Sequence, residues 1–377
     1  MMNTTINLFQ PLALLYSQRA ARQSIQSPEF AMYKIAINGF GRIGRCILRA
    51  YCERKLNDTL QIVAINDTAD ASILAHLTRN DSTHGHFNGT VELQDGYLVI
   101  NGQAIQLLNT LQPASLPWSE LSVDMLLECS GASRTRNDIS PHLEAGADRV
   151  LVSHPVPDAD ITVVYGVNHH QLAEQHRIIS NASCTTNCIA PLLQVLNDNI
   201  GIATGAFTTV HSYTNDQHLL DQPHGDPYRS RAAALSMIPT KTGAAAALEQ
   251  VLPELAGRVT GIAVRVPTPN VSLTDFHFVP EQKTSKEAIN HYLKLASEQH
   301  LKGILNYSEE PLVSADYNHD PASCTVDGVQ TSYQNINTGI PDKQHCGQAR
   351  VMAWYDNEWG FANRMLDIAM HLAQTTR

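Results

Sequence analysis

The chain has 377 residues, of which 43% are hydrophobic and 16% charged, the make-up of a soluble globular protein long enough for two domains. Its formal net charge is −10 and no basic run interrupts it, which argues against nucleic acid and anionic membranes as partners. Seven cysteines (46, 52, 129, 184, 188, 324 and 346) form an odd set without paired spacing. No second Cys or His pair completes a zinc site with Cys184 and Cys188, so a reducing cytoplasm and no bound metal are expected.

Residues 1–31 differ in character from the rest of the chain. Leu8 to Leu15 is a short apolar run containing Gln10 and Pro11, too brief to span a bilayer. Arg19, Arg22 and Ser24 faintly resemble a transit peptide without a clear cleavage site. The segment is expected to be an extension outside the fold, with the functional chain starting at Met32.

Tyr33 to Asn38 is a β-prone run, and Gly39-Phe40-Gly41-Arg42-Ile43-Gly44 comes immediately after it, leading into a helical segment through Arg54. This is G-x-G-x-x-G in its strand–turn–helix setting. Gly39 permits the tight turn, Gly41 lets backbone approach a pyrophosphate, and Gly44 lets helix pack on strand. A second strand, Gln61 to Ile65, leads to Asp67, placed where an acid grips an adenosine ribose. Val123 to Glu128, Arg149 to Ser153 and Ile161 to Val167 read as further strands. Ser130 falls in a turn at the carboxyl edge of the resulting sheet, where a nucleotide lies.

Arg177 to Ser180 reads as a strand, and Ile189, Leu192, Leu193 and Leu196 mark one face of a helix after it. Cys184 therefore sits at a helix N-terminus, where unpaired N–H groups favour a thiolate and stabilise charge on an attacked carbonyl oxygen. Pro191 leaves the start of this helix open. Next, Gly205 to Tyr213, Gly261 to Val266 and Val271 to Val279 are β-prone and predict a largely antiparallel sheet. A polar segment, Thr214 to Arg231, separates the first two. Thr284 to Leu301 reads as a surface helix, 315–347 as a polar stretch, Ala349 to Tyr355 as a strand and Ala362 to Leu372 as a closing helix.

A dinucleotide beside a nucleophilic cysteine points to one reaction type. The thiolate adds to an aldehyde, the hemithioacetal yields a hydride, and a thioester remains for water or phosphate. His211, at the end of a strand, would serve as acid and base, and as an imidazolium would lower the cysteine pKa. Ser183, Thr185, Thr214, Arg229, Thr242, Gly243 and Arg265 would bind anions if the fold gathers them. An inert nucleotide-binding module and a hydrolytic Cys–His protein are the rival classes.

Four stretches carry a resemblance: Ile37 to Arg45, Ser180 to Cys188, Arg265 to Val271 and Trp354 to Glu358. From about residue 32 onward the chain resembles the glyceraldehyde-3-phosphate dehydrogenase family. The resemblance implies Cys184 as nucleophile with His211 as partner, Arg42 and Ile43 along the pyrophosphate, Asp67 on the ribose and Asn357 at the nicotinamide. It implies a substrate-phosphate site of Thr214, Arg229 and Arg265, and an inorganic-phosphate site of Ser183, Thr185, Thr242 and Gly243 with help from Arg265. The implied fold is α/β: a Rossmann NAD-binding domain (32–183, completed by a C-terminal helix, 350–377) and an α+β catalytic domain (184–349) with a largely antiparallel sheet. A cytoplasmic homotetramer is implied, with the 214–231 loop reaching towards a neighbour's cofactor.

Other stretches resemble the sister enzyme, erythrose-4-phosphate dehydrogenase: Ser153 to Pro155, Val164 to Asn168, Asn318 to Pro321, Val326 to Gly328 and Trp359 to Leu366. His211 to Gln217 and Thr240 to Ala245 instead resemble the phosphorylating triose enzyme. Because these touch the anions, glyceraldehyde 3-phosphate with inorganic phosphate is the leading expectation and erythrose 4-phosphate the alternative. Ala132-Ser133 stands where the family usually has an aromatic. Thr68 is similar to a residue of dual-cofactor photosynthetic relatives, but Pro223 replaces their serine, and Asp67 repels a 2′-phosphate, so NAD is expected.

Overall fold

The computed structural model describes residues 32–335 and 347–375. The 1–31 extension, Cys346 and the last two residues of the expected C-terminal helix segment lie outside the described residues.

The first half alternates strand and helix. It runs β1 (Tyr33–Asn38), α1 (Arg42–Glu53), β2 (Leu60–Asn66), α2 (Ala71–Arg79), a short ladder of β3 (Asn80–Asp81) and β4 (Gly85–His86), then β5 (Val91–Gln94), β6 (Tyr97–Ile100) and β7 (Gln103–Leu108). It continues through α3 (Trp118–Leu121), β8 (Met125–Glu128), α4 (Arg136–Glu144), β9 (Arg149–Val152), β10 (Ile161–Thr162) and β11 (Ile178–Ser180). Nine of these strands make one sheet in the order β10-β11-β9-β8-β1-β2-β7-β6-β5. β1 pairs in parallel with β2 and β8, and its residues are almost all buried, as a central parallel strand covered on both faces requires.

Two differences from the sequence reading have clear causes. The antiparallel meander β5–β7 was missed although Asp95-Gly96 and Asn101-Gly102, all four at positive φ, are hairpin turns by composition. The strand expected over Ile161 to Val167 stops at Thr162. There the Asn168 amide takes over: its oxygen accepts from the Val164 N–H and its nitrogen donates to the Thr162 carbonyl.

The second half begins with α5 (Cys184–Ile200) and β12 (Ile202–Ser212), followed by a segment without helix or strand. Then come β13 (Ile238–Lys241), α6 (Ala244–Val251), β14 (Val259–Val266), β15 (Ser272–Pro280), α7 (Lys286–Glu298), β16 (Leu305–Ser308), β17 (Cys324–Gln334), β18 (Gln348–Tyr355) and α8 (Trp359–Thr375). The seven-stranded sheet has the order β13-β14-β12-β15-β18-β17-β16. It is largely antiparallel, with β12–β14 and β16–β17 as parallel pairs. The polar stretch near 315–347 proves to contain β17, whose alternation is broken by Asp327-Gly328 and a register shift before Ser332. β13 escaped notice because Pro239 interrupts it, which an edge strand tolerates.

Two large cores result. Ile189, Leu192, Leu193 and Leu196 of α5 pack with α6, α7 and the Phe207, Phe276 and Phe278 side of the second sheet. Cys46, Ile47 and Ala50 of α1 pack with Met365, Leu366, Ala369 and Leu372 of α8. The closing helix is thus part of the first core.

A buried carboxylate ties the first sheet together. One Glu128 oxygen accepts from the Ser130 N–H and hydroxyl, the other from the Asn38 amide, with His142 Nε2 3.2 Å away. Burial would push this group up, but these donors hold it below its ordinary range. Glu128→Ala strands the buried Asn38 amide and leaves the buried His142 without its carboxylate, at about 1 kcal/mol or more each, while the exposed Ser130 donors turn to water. We therefore expect denaturant unfolding to show a loss of about 2 kcal/mol or more.

Candidate active site and cofactor cleft

The turn before α5 is built from local hydrogen bonds. β11 ends at Ser180, whose hydroxyl accepts from the Ala182 N–H. Ala182 adopts φ 54°, a left-handed kink that swings the chain into the helix. The Ser183 hydroxyl then accepts from the Thr186 N–H, a standard N-cap, so α5 starts at Cys184. Pro191 lies inside the helix and costs it one backbone hydrogen bond without shifting the start.

Across from this helix end, β12 delivers His211, and its Nε2 lies 3.4 Å from the Cys184 sulfur. His211 Nδ1 is 2.7 Å from the Ser212 carbonyl, so Nδ1–H donates there and Nε2 is left as the acceptor facing the thiol. Tyr355 locks the two elements together. Its hydroxyl meets Thr185 at 2.9 Å and Thr209 at 2.8 Å, and its ring stands edge-on to His211.

The β12–β14 register puts Arg265 directly beside His211. The Arg265 guanidinium donates to the Ser212 carbonyl and to the Thr214 hydroxyl, 3.2 and 3.3 Å away. Its Nε is buried without a partner. Burial pushes the Cys184 thiol up, opposed by Arg265 and by hydrogen bonds from Thr185. Burial, Arg265 and Arg229 together lower His211 to about 3, against one hydrogen bond to Ser212. Burial thus works against charge on both members of the pair, the opposite direction to the imidazolium expected from sequence.

The remaining anion candidates are less closely gathered. Arg229 is near enough to act on His211 but is ion-paired with Asp216 and bonded to Thr240. Thr242 accepts from the Ala244 N–H at the start of α6, with Gly243 as that helix's cap residue. Among the described residues, no hydrogen bond links Thr242 or Gly243 to the Cys184 group. The Ser183 and Thr185 hydroxyls flank Cys184 and are engaged with Thr186 and Tyr355.

At the carboxyl edge of the first sheet lies a cleft of about 350 Å³, lined among others by Gly39, Gly41, Asp67 and Ser130. Asp67 is held by the Phe40 and Ala69 N–H groups. Gly39 has φ +87°, and a Cβ there would sit 2.4 Å from the Ser130 backbone. At Gly41 a Cβ would meet nothing within 4 Å, an open space beside the start of α1. Gly44 packs on the Gly39 carbonyl, and Ile43 is half-buried next to it. The Arg42 guanidinium is committed to Asp81 and Glu358. Ala132 and Ser133 also line the cleft. Asn357 sits apart from these, its amide oxygen accepting from the Ser212 and Ser272 hydroxyls near His211.

Sequence reasoning missed Tyr355, Thr209, Ser212 and Ser272, none of which has a spacing signal. An open, glycine-lined cradle at a helix N-terminus, with an acid beyond it, fits a dinucleotide.

Fold and cleft define a dinucleotide-dependent oxidoreductase. The family model for the NAD binding domain of glyceraldehyde 3-phosphate dehydrogenase matches residues 33–136, and that for its C-terminal domain matches 183–357. The plasmid-borne glyceraldehyde-3-phosphate dehydrogenase of Cupriavidus necator is 52% identical over 341 residues, covering 90% of this chain and 98% of the relative. Those of Pseudomonas aeruginosa and Bacillus subtilis are 51% and 48% identical over 340 and 342 residues, with the same coverage. The chain belongs to the glyceraldehyde-3-phosphate dehydrogenase family and its cofactor is NAD.

The geometry generates two expectations. Gly41→Ala should leave thermal stability unchanged but weaken NADH binding at least about tenfold by fluorescence titration, since only a ligand feels its Cβ. Gly39→Ala should unfold several degrees earlier; an unchanged NADH affinity in Gly41→Ala would show that the open space is not the cradle. Second, His211 binds a proton at about pH 3 when folded and at 6.5 when unfolded. Between those values the unfolded chain holds more protons, so this group's contribution to stability is complete above pH 6.5 and is lost as pH falls towards 3. His211→Asn should therefore flatten the fall in melting temperature between pH 6.5 and 4.5.

Proposed function

We propose that the chain oxidises glyceraldehyde 3-phosphate with NAD and inorganic phosphate to 1,3-bisphosphoglycerate. The observation that carries this reading is the 3.4 Å contact between Cys184 and His211, with Arg265 beside the imidazole. His211 Nε2 takes the thiol proton as Cys184 Sγ adds to the aldehyde carbon and then passes it to the alkoxide, giving a hemithioacetal with the imidazole neutral again. Backbone N–H groups at the α5 N-terminus stabilise the oxyanion as it forms. Bound NAD supplies the hydride acceptor. His211 removes the hemithioacetal hydroxyl proton as the thioester forms, and phosphate then displaces the Cys184 sulfur.

In this reading Gly39, Gly41, Gly44 and the Arg42–Ile43 backbone hold the pyrophosphate, Asp67 the ribose, Ser130 the cleft's far wall and Asn357 the nicotinamide amide. Thr214, Arg229 and Arg265 bind the substrate phosphate, with Arg229 released from Asp216. Ser183, Thr185, Thr242 and Gly243 bind inorganic phosphate. The domain division at 183/184, the cytoplasmic location and a homotetramer belong to the same proposal. Leu219, Leu220, Tyr228, Leu235 and Met237, all at least 60% exposed in or just after the 214–231 loop, support the neighbour contact.

The test is initial NADH formation, followed by absorbance, with each aldose phosphate, with and without inorganic phosphate. Triose phosphate oxidation should dominate, collapse without phosphate and vanish in Cys184→Ser. His211→Asn should lose about 10²–10⁴-fold in kcat. Preference for erythrose 4-phosphate, indifferent to phosphate, would replace this reading with the sister activity suggested by Asn318 to Pro321 and the other stretches like it.

A further inference from the structure

Away from Cys184, α1, the β3–β4 hairpin, the 318–320 loop and the start of α8 enclose a second cluster of chemically active groups. Donor atoms of Cys46, His84 and Glu358 all lie within 4.8 Å of one another. Cys46 is 1% exposed, the His84 side chain is fully buried, and Glu358 keeps 14% of its side chain open to solvent.

A row of contacts runs through this cluster. Glu53 Oε2 lies 3.0 Å from His319 Nε2, His319 Nδ1 lies 3.1 Å from His84 Nδ1, and His84 Nε2 lies 3.2 Å from Glu358 Oε2. Each contact needs one hydrogen between its two heavy atoms, and carboxylates bring none. Two neutral imidazoles carry only two N–H groups. The row is one hydrogen short unless an imidazole is protonated or another cation stands in the gap.

We propose that a thiophilic divalent cation of the zinc class fills the last contact, bound by Cys46 Sγ, His84 Nε2 and Glu358 Oε2. Two donors about 2.0–2.1 Å from a tetrahedral zinc lie about 3.3–3.4 Å apart, close to the observed His84–Glu358 separation. The rest of the row then becomes the metal's outer support. Glu53 accepts from His319 Nε2–H, His319 Nδ1 accepts from His84 Nδ1–H, and the His84 Nε2 lone pair is aimed at the metal. His319 is held in turn by stacking on Trp359, with ring centroids 3.6 Å apart. The open side of Glu358 leaves room for a fourth ligand, water.

Charge is nearly balanced. Around Cys46 stand Asp81, Asp356 and Glu358, with Arg42 and Arg45 as the cations. With the thiolate and Glu53 at the end of the row, five negative charges face two arginines and one divalent ion. The Arg42–Glu358 pairing survives, because a carboxylate has lone pairs for both. Burial keeps the metal-free thiol protonated, so binding releases a proton. No sequence spacing announces the site, since His84 and Glu358 are 274 residues apart.

The experiment uses the full-length chain with Cys184→Ser, which removes the competing Cys184–His211 thiol–imidazole pair. Cobalt(II) is titrated in while thiolate-to-cobalt absorption is recorded, and zinc(II) is then added to displace it. One equivalent should bind, with the charge-transfer band lost on adding Cys46→Ser. His84→Gln should abolish stoichiometric binding, and His319→Ala should weaken it about 10–100-fold. Should Cys46→Ser fail to fold, the two histidine variants carry the same test. Absence of a stoichiometric thiolate band, or binding unmoved by all three substitutions, overturns the proposal. So does nitrogen-15 NMR showing an imidazolium at His84 or His319 that zinc leaves unchanged, since a proton would then fill the row.

Discussion

The end of β18 is the joint on which both halves of the molecule depend. The Asp356 carboxylate accepts from the Asn270 amide and from the backbone N–H groups of His319, Glu358 and Trp359. On one side of it, Tyr355 clamps Thr185 of α5 to Thr209 of β12. On the other, Glu358 grips Arg42 at the start of α1. One buried turn of five residues therefore sets the distance between the thiol–imidazole pair and the glycine cleft. A reaction that passes a hydride from a substrate held at Cys184 and His211 to a cofactor in the cleft needs that distance held.

Electrostatics around the pair are set by burial more than by charge. Arg265 is locked beside His211 by strand register and by the Ser212 carbonyl, which accepts from both. A guanidinium so close to an imidazole makes a second positive charge costly. That favours the neutral form of the histidine. The same guanidinium favours negative charge on the sulfur once the proton has left, so one side chain serves both halves of the transfer.

What could be read in the sequence was what is local. The Gly39 to Gly44 run and the Ser183–Cys184 cap declare their turns through residue types that few other conformations use. β1, β2, β8 and β9 declare themselves through continuous apolar runs bounded by turns. Illegible features depended on partners far along the chain. β17 carries Asp327-Gly328 in mid-strand and is stabilised by β18, and β13 is an edge strand that tolerates Pro239. The His211–Arg265 neighbourhood arises from register alone. The expected imidazolium is opposed by features that sequence does not show, the desolvation of His211 and the arginine beside it.

The packing of α8 into the first core has a consequence for synthesis. Trp359, Phe361, Met365, Leu366 and Leu372 complete the apolar surround of α1 and β1, more than 300 residues earlier in the chain. While a ribosome is still making the second half, the nucleotide sheet stands with one flank bare. Closing that flank must await nearly the whole polypeptide, so the nascent first half carries exposed apolar surface until then.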